Sequence, residues 1–222
     1  NAFLQEQGDA RSLRVVSIPA HRGMITDRND EPLAISTPVD SIWADPQEML
    51  AASAQWPRLA KLLDLNVRWI KDRLRENANR EFVYIKRHIP PALADQVMAL
   101  DIPGVFAQRE YRRYYPAGEV AGHVLGFTNV DDVGQEGAEL TYEQWLRGTP
   151  GSMRVIKDRL GRVVETVERI NEPVPGRDLK LSIDRRIQYL AYRELKAAVQ
   201  ENRAASGSAV VLDVKTGEVL AM

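Results

Sequence analysis

Cysteine is absent from the 222 residues, which removes disulfides, thiolate nucleophiles and cysteine-based zinc sites from consideration. Histidine is scarce: His21, His88 and His123 lie far apart and none belongs to an HxxxH or HExxH pattern, so metal-ligand spacing is missing. No apolar run approaches the roughly 18 residues of a membrane span. The opening Asn1-Ala2-Phe3-Leu4-Gln5-Glu6-Gln7 has neither an initiator Met nor the charged-then-apolar build of a signal peptide, so the natural N-terminus is expected to lie upstream. Neither sign of charge is in excess, with 30 Lys and Arg against 31 Asp and Glu. The basic pairs Arg112-Arg113 and Arg185-Arg186 stand apart from one another, which argues against nucleic acid as a partner.

The motifs of nucleophilic serine chemistry are missing too. No Gly-x-Ser-x-Gly occurs, no serine has lysine at the third position after it, and there is no Ser-x-Asn. Lys215-Thr216-Gly217 does occur, but between two expected strands, where a turn selects glycine for local reasons. The run Asp27-Arg28-Asn29-Asp30-Glu31 resembles the start of a calcium loop, yet Pro32 and Pro38 stand where that loop needs its glycine and its bidentate glutamate. Paired carboxylates such as Asp131-Asp132 and Glu136 with Glu139 are present, but acid/base work needs a geometry that sequence does not supply. No cofactor motif appears.

What is present suits a globular protein with one large domain or two small ones, since 44% of residues are hydrophobic. Strands are expected at Leu13–Ile18, Gly23–Thr26, Leu33–Thr37 and Val39–Ala44. Asp45-Pro46 then has the form of a helix start, with the carboxylate as cap and proline at the first position. Composition shifts to helix formers between Pro46 and Pro103. Candidate helices are Glu48–Ala54, Arg58–Leu63, Asn66–Asn77 and one opened by Pro90-Pro91, with a half-exposed strand at Glu81–Ile89. Beyond Val105 the chain returns to strands. Glu136–Leu146 reads as one helix stopped by Gly148, and Ser152–Lys157 with Arg162–Ile170 as a hairpin turning at Asp158–Gly161. Asp178–Ile183 reads as a strand. Asp184 caps a helix whose Ile187, Leu190, Ala191, Leu195, Ala198 and Val199 share one face. Ser208–Val214 and Glu218–Met222 form a final hairpin, which is marginal alone and expects further strands beside it.

One stretch concentrates unusual residues: Arg113-Tyr-Tyr-Pro-Ala-Gly-Glu-Val-Ala-Gly-His-Val-Leu-Gly126. Pro116 and Gly118 signal a turn that brings Arg113 near His123. The pair reads as a catalytic pair, as ligands or as a structural staple.

The chain resembles the N-terminal, non-catalytic half of the class B penicillin-binding proteins of the septal type. Four blocks carry the resemblance, in the family's order. The first runs from Arg22, Gly23 and Asp27 to Ala34, followed by Ile42-Trp43-Ala44-Asp45-Pro46. The second is the Arg113 stretch with Tyr115, Pro116, Gly118, His123 and Gly126. The third is Gly134-Gln135-Glu136-Gly137-Ala138-Glu139 with Tyr142, Leu146, Gly148 and Gly151. The fourth is Leu181-Ser182-Ile183-Asp184 with Ile187-Gln188, and Ala209 to Met222. Asp30 replaces the usual glycine and Ala138 a larger aliphatic. In the family the nucleophilic serine lies beyond the position of Met222.

The resemblance implies an α+β fold: an elongated β-rich pedestal at residues 1–180 with an inserted helical head at 46–103. Residues 181–222 would then be the first helix and hairpin of a truncated transpeptidase domain. It also implies a parent D,D-transpeptidase on the periplasmic face of the inner membrane, held there by one N-terminal helix that this sequence does not contain. The parent's ligands would be peptidoglycan stem peptides and β-lactams, and its partners a SEDS-family glycan polymerase and other divisome proteins. No cofactor, metal or catalytic residue is expected in the fragment. Arg22, Arg113, Glu139 and His123 are expected to form a polar cluster between the β-rich segments. A small serine hydrolase built around His123, or a cell-wall binding module using Trp43, Trp56, Trp69 or Trp145, is the alternative reading.

Overall fold

The structure, a computed structural model, describes residues 13–157 and 163–222. It is a mixed α+β fold, and the chain divides into two compact units. One comprises Asn1–Pro19, Pro38–Tyr111 and Pro150–Pro173; the other Ala20–Thr37, Arg112–Thr149 and Val174–Met222. The segment 181–222 therefore clusters with parts of all three earlier blocks.

In the first unit, β1 (Leu13–Ile18) pairs antiparallel with β6 (Gly151–Lys157), and β6 with β7 (Val163–Asn171). The turn expected at Asp158–Gly161 lies outside the described residues. The rest of this unit is the helical head. Strand β3 (Pro32–Ala44) enters it after Thr37 and pairs antiparallel with β4 (Val83–Ile89). The chain then forms α1 (Pro46–Ala51), α2 (Trp56–Leu63), α3 (Val67–Glu76) and α4 (Pro91–Met98).

Each helix begins where local chemistry places it. Asp45 accepts from the backbone N–H groups of Gln47 and Glu48, Asn66 accepts from Arg68, and prolines open α1 and α4. The apolar positions Trp56, Leu59, Leu63, Ile70 and Leu74 fall at helical spacing and are buried together with Ile42, Val83, Ile85 and Val97. The indole of Trp56 satisfies its N–H on the Met49 carbonyl at 3.1 Å.

In the second unit, β2 (Ile25–Thr26) pairs antiparallel with the first part of β3 and parallel with β8 (Leu179–Lys180). Only these two residues of the expected strand Asp178–Ile183 are paired. Strand β5 (Val105–Tyr114) leaves the head after Tyr111 and ends in this unit. A turn follows in which the Gly118 N–H donates to the Tyr115 carbonyl, with Pro116 at its second position. A short 3-10 turn (Gly118–Ala121) and α5 (Gly122–Leu125) come next.

The single helix expected over Glu136–Leu146 is two: α6 (Gly137–Thr141) and α7 (Glu143–Leu146). The break is at Tyr142, whose backbone (φ −106, ψ 23) leaves the helical region. Leu125, Ala138 and Leu146 from these pieces pack with Ile25, Leu33 and Ala34 as a separate small core.

The second unit ends in α8 (Arg185–Glu201) and the antiparallel pair β9 (Val211–Leu212) and β10 (Val219–Ala221), with Lys215-Thr216-Gly217 in the turn between them. The only buried residue of α8 is Gln188; Leu190 on the apolar stripe is 48% exposed. Among the described residues no helix is long and apolar enough to cross a membrane.

Leu59→Ala removes a fully buried side chain from the centre of the head, and is expected to cost about 2–5 kcal/mol in urea unfolding. Arg58→Ala, one position away on the exposed side, should shift it by less than about 0.5 kcal/mol.

Candidate functional site

The functional candidates gather around one carboxylate. Glu139 on α6 is fully buried, and each of its oxygens meets a different arginine. Arg22, on the segment before β2, donates Nε to Oε2 at 2.8 Å and brings Nη2 to the same oxygen at 2.7 Å. Arg113, near the end of β5, donates Nε to Oε1 at 2.7 Å. Both guanidinium groups are almost wholly removed from solvent. Charge-assisted bonds of this length are the strong kind, and burial makes them necessary, since an unpaired ion there is expensive.

Further partners surround the triad. Arg22 Nη2 donates to the Glu139 carbonyl at 3.0 Å and Nη1 to the Asp132 carbonyl at 3.1 Å, and Nη1 also pairs with Glu143 Oε2 at 2.7 Å. Arg113 Nη1 donates to the Ser36 hydroxyl at 3.0 Å. The break at Tyr142 matters here: Glu139 and Glu143 come from two successive short helices, and both reach Arg22.

This crowd of charge perturbs its neighbours. Burial is the largest influence on Arg22 and by itself lowers its pKa, but Glu139 and Glu143 more than offset this and raise it. Burial pushes the Asp132 carboxyl up to about 6; Arg22 and Arg113 oppose that and Glu139 and Glu143 reinforce it. Burial also pushes the Tyr115 phenol up to about 12, aided by Glu139, while its oxygen accepts the Thr128 N–H at 3.1 Å.

Backbone geometry closes the site. Gly126 has φ 70 and ψ −151, a region that only glycine occupies without strain. A Cβ there would lie 1.9 Å from the Glu136 carbonyl oxygen. Gly137, also at positive φ, faces it across the same contact. The Gly23 N–H donates to the Leu146 carbonyl at 2.8 Å.

A second polar knot joins the first sequence block to α8. Asp27 is buried and accepts from the N–H groups of Asn29, Glu31 and Arg185. Burial alone would raise its pKa, but these bonds and the Asn29 side chain bring it below the usual carboxylate value. Asp184 caps the same helix through Arg186 and Ile187 and accepts from Asn29 Nδ2. Gln188 then bonds the Val120 carbonyl and both backbone groups of Met222. Beside this knot is a cavity of about 730 Å³, lined by Asp27, Glu31, Pro116, Val120, Arg185 and Leu190 among others.

Of the residues singled out in the sequence, Arg22, Arg113 and Glu139 are brought together. His123 is not with them: it is exposed, as the second residue of α5. Of the two neighbours expected for Arg113, it meets Glu139 and not His123. Tyr142 is 44% exposed, Gly148 packs against the Val174 carbonyl, and Gly151 opens β6 against Pro173. Sequence reasoning missed Glu143 and Asp132. Glu143 had a signal, lying one helical turn after Glu139.

Comparison with known proteins gives the family. The family described as Penicillin-binding Protein dimerisation domain matches residues 17–181. The peptidoglycan D,D-transpeptidase FtsI of Escherichia coli (strain K12) is 47% identical over 225 residues, covering 99% of this chain and 38% of the relative. The probable peptidoglycan D,D-transpeptidase PbpC of Pseudomonas aeruginosa is 44% identical over 220 residues, covering 99% of this chain and 39% of the relative. The chain thus spans about two fifths of the length of these relatives. Among solved structures, penicillin-binding protein PBP2 in complex with MreC from Helicobacter pylori superposes with a TM-score of 0.66 at 25% identity, over 94% of this chain and 42% of that one.

Two substitutions probe the centre. Glu139→Gln leaves the buried Arg113 guanidinium without its anion and Arg22 with Glu143 alone, and should cost about 3–5 kcal/mol in chemical unfolding. Asp132→Asn tests the raised carboxyl. A folded-state pKa above the unfolded 3.8 means that the native state binds the proton more tightly, so this group's contribution falls as pH rises from about 4 through about 6. Asn removes that loss. The gain in Tm of Asp132→Asn over the unsubstituted protein should therefore be largest above pH 7 and vanish near pH 4.

Proposed function

The chain belongs to the penicillin-binding proteins that carry this dimerisation domain, and on that premise we propose that it is the non-catalytic scaffold and interaction region of a septal peptidoglycan D,D-transpeptidase. Its named relatives are peptidoglycan D,D-transpeptidases, and the septal assignment rests on the Ile42–Pro46 block and on identity to FtsI. The observation that carries the scaffold reading is the state of the motif residues. The sequence blocks that stand out most converge on Glu139, where Arg22, Arg113 and the carboxylate bind one another in a closed, buried centre. Groups held in this way fix the geometry of segments over a hundred residues apart in the chain. A reaction centre needs an accessible nucleophile or base instead.

On this reading residues 1–180 are the pedestal, with 46–103 as its head, and α8 with the β9–β10 pair begins the transpeptidase domain. The parent works on the periplasmic face of the inner membrane, and this region meets a SEDS-family glycan polymerase and other divisome proteins. PBP2 of Helicobacter pylori, solved as a complex with MreC, supports partner binding as a property of such proteins.

A fluorescent β-lactam and a serine-reactive phosphonate should both leave the 222-residue chain unlabelled while a full-length parent is acylated by the β-lactam. Labelling of the chain by either probe overturns the scaffold reading. In membranes, the full-length parent should retain its polymerase partner on purification, and Arg113→Ala should lower that retention without abolishing acylation of the catalytic domain.

A further inference from the structure

The helical head carries a charge distribution that the scaffold role does not use. Between Trp56 and Arg80 lie seven cations, Arg58, Lys61, Arg68, Lys71, Arg73, Arg75 and Arg80, against three carboxylates, Asp64, Asp72 and Glu76. The whole chain has a formal net charge of −1, so positive charge is locally concentrated. All seven are exposed. None of their side chains takes part in an ion pair or a hydrogen bond among the described residues, although cations elsewhere are paired: Arg22, Arg28, Arg87, Arg109, Arg113, Arg154 and Lys180 all meet carboxylates.

Geometry sharpens the patch. Helix α3 turns Ile70 and Leu74 into the core, both fully buried. By helical spacing, Lys71 and Arg75 share one flank of its outer surface, and Trp69 and Arg73 share the other. Trp69 is 43% exposed and Val67 38%. An exposed tryptophan among unpaired arginines has the composition of a protein-recognition surface, where Trp and Arg supply most hot spots.

We propose, building on the reading of this region as an interaction module, that the outer surface of α2 and α3 is a docking site for an acidic polypeptide segment carrying an apolar side chain that seats on Trp69. Charge complementarity argues for an anionic partner. Two features favour a polypeptide over an anionic lipid surface. The apolar stripe of α3 is already spent in the core, leaving no face to insert at a membrane interface. Asp72 and Glu76 lie on the crest between the two flanks, where a uniformly anionic sheet would meet them and a folded or extended segment can step around them.

The test uses the whole chain and a fluorescein-labelled glutamate-rich peptide with one central phenylalanine, followed by anisotropy. Binding should weaken as salt rises. Lys71→Gln combined with Arg75→Gln should weaken it about tenfold, and Trp69→Ala several-fold at any salt. Lys215→Gln, exposed and outside the patch, should leave it unchanged. Glutamine keeps helix propensity, and an unaltered Tm for each variant shows that the head is still folded. The inference is overturned if the peptide does not bind, if the double variant or Trp69→Ala binds like the unsubstituted protein, or if vesicles of phosphatidylglycerol and phosphatidylethanolamine bind the patch more tightly than the peptide. Polymerase retention by the full-length parent is read separately. Its persistence when peptide binding fails sinks this inference and leaves the scaffold reading standing.

Discussion

Everything in the second unit depends on one carboxylate being shared between two arginines. The two carboxylate oxygens of Glu139 meet three guanidinium nitrogens, two of Arg22 from the segment before β2 and one of Arg113 from the end of β5. Removing any one member leaves charge buried in a medium that solvates it poorly, so the three segments are held to one mutual geometry. Such a centre gives specificity of arrangement rather than large net stability, because desolvating three ions offsets much of what their attraction returns. The nearby Gly126 and Gly137 let the backbone approach closely enough for α6 to deliver the carboxylate.

Much of the fold was legible. The caps at Asp45, Asn66 and Asp184 and the prolines opening helices placed the starts of those helices within a residue or two, because capping is local chemistry that sequence displays directly. The triad of Arg22, Arg113 and Glu139 was legible because three unusual residue blocks each carried one member. Where reading failed, the cause was tertiary. One continuous periodic run, Glu136 to Leu146, breaks at Tyr142, and no residue there has the signature of a helix stop. His123 was placed with Arg113 by proximity in sequence, but the chain leaves it exposed on α5 while Arg113 meets Glu139. Asp132 was read only as one of a pair of carboxylates, and its approach to Arg22 is a property of the packed chain that composition does not reveal.

The head poses a different case. Its net charge is visible in a local count, but composition summed over the whole chain hides it, since the rest of the molecule is correspondingly acidic. Whether those cations are neutralised inside the molecule is decided by neighbours in space. Only the ion pairs of the folded chain separate Arg22, fully committed, from Arg75, which meets no carboxylate among the described residues.

The joint between Asp27 and α8 bears on mechanics. Two carboxylates from different parts of the chain grip the first N–H groups of one helix, and a glutamine one turn later ties that helix to the 3-10 turn and to Met222. A flexible tether would let whatever follows α8 swing freely. These bonds make the first turn of α8 and the β2–Asn29 segment a single hydrogen-bonded joint, so a change in the direction of one requires breaking bonds to the other.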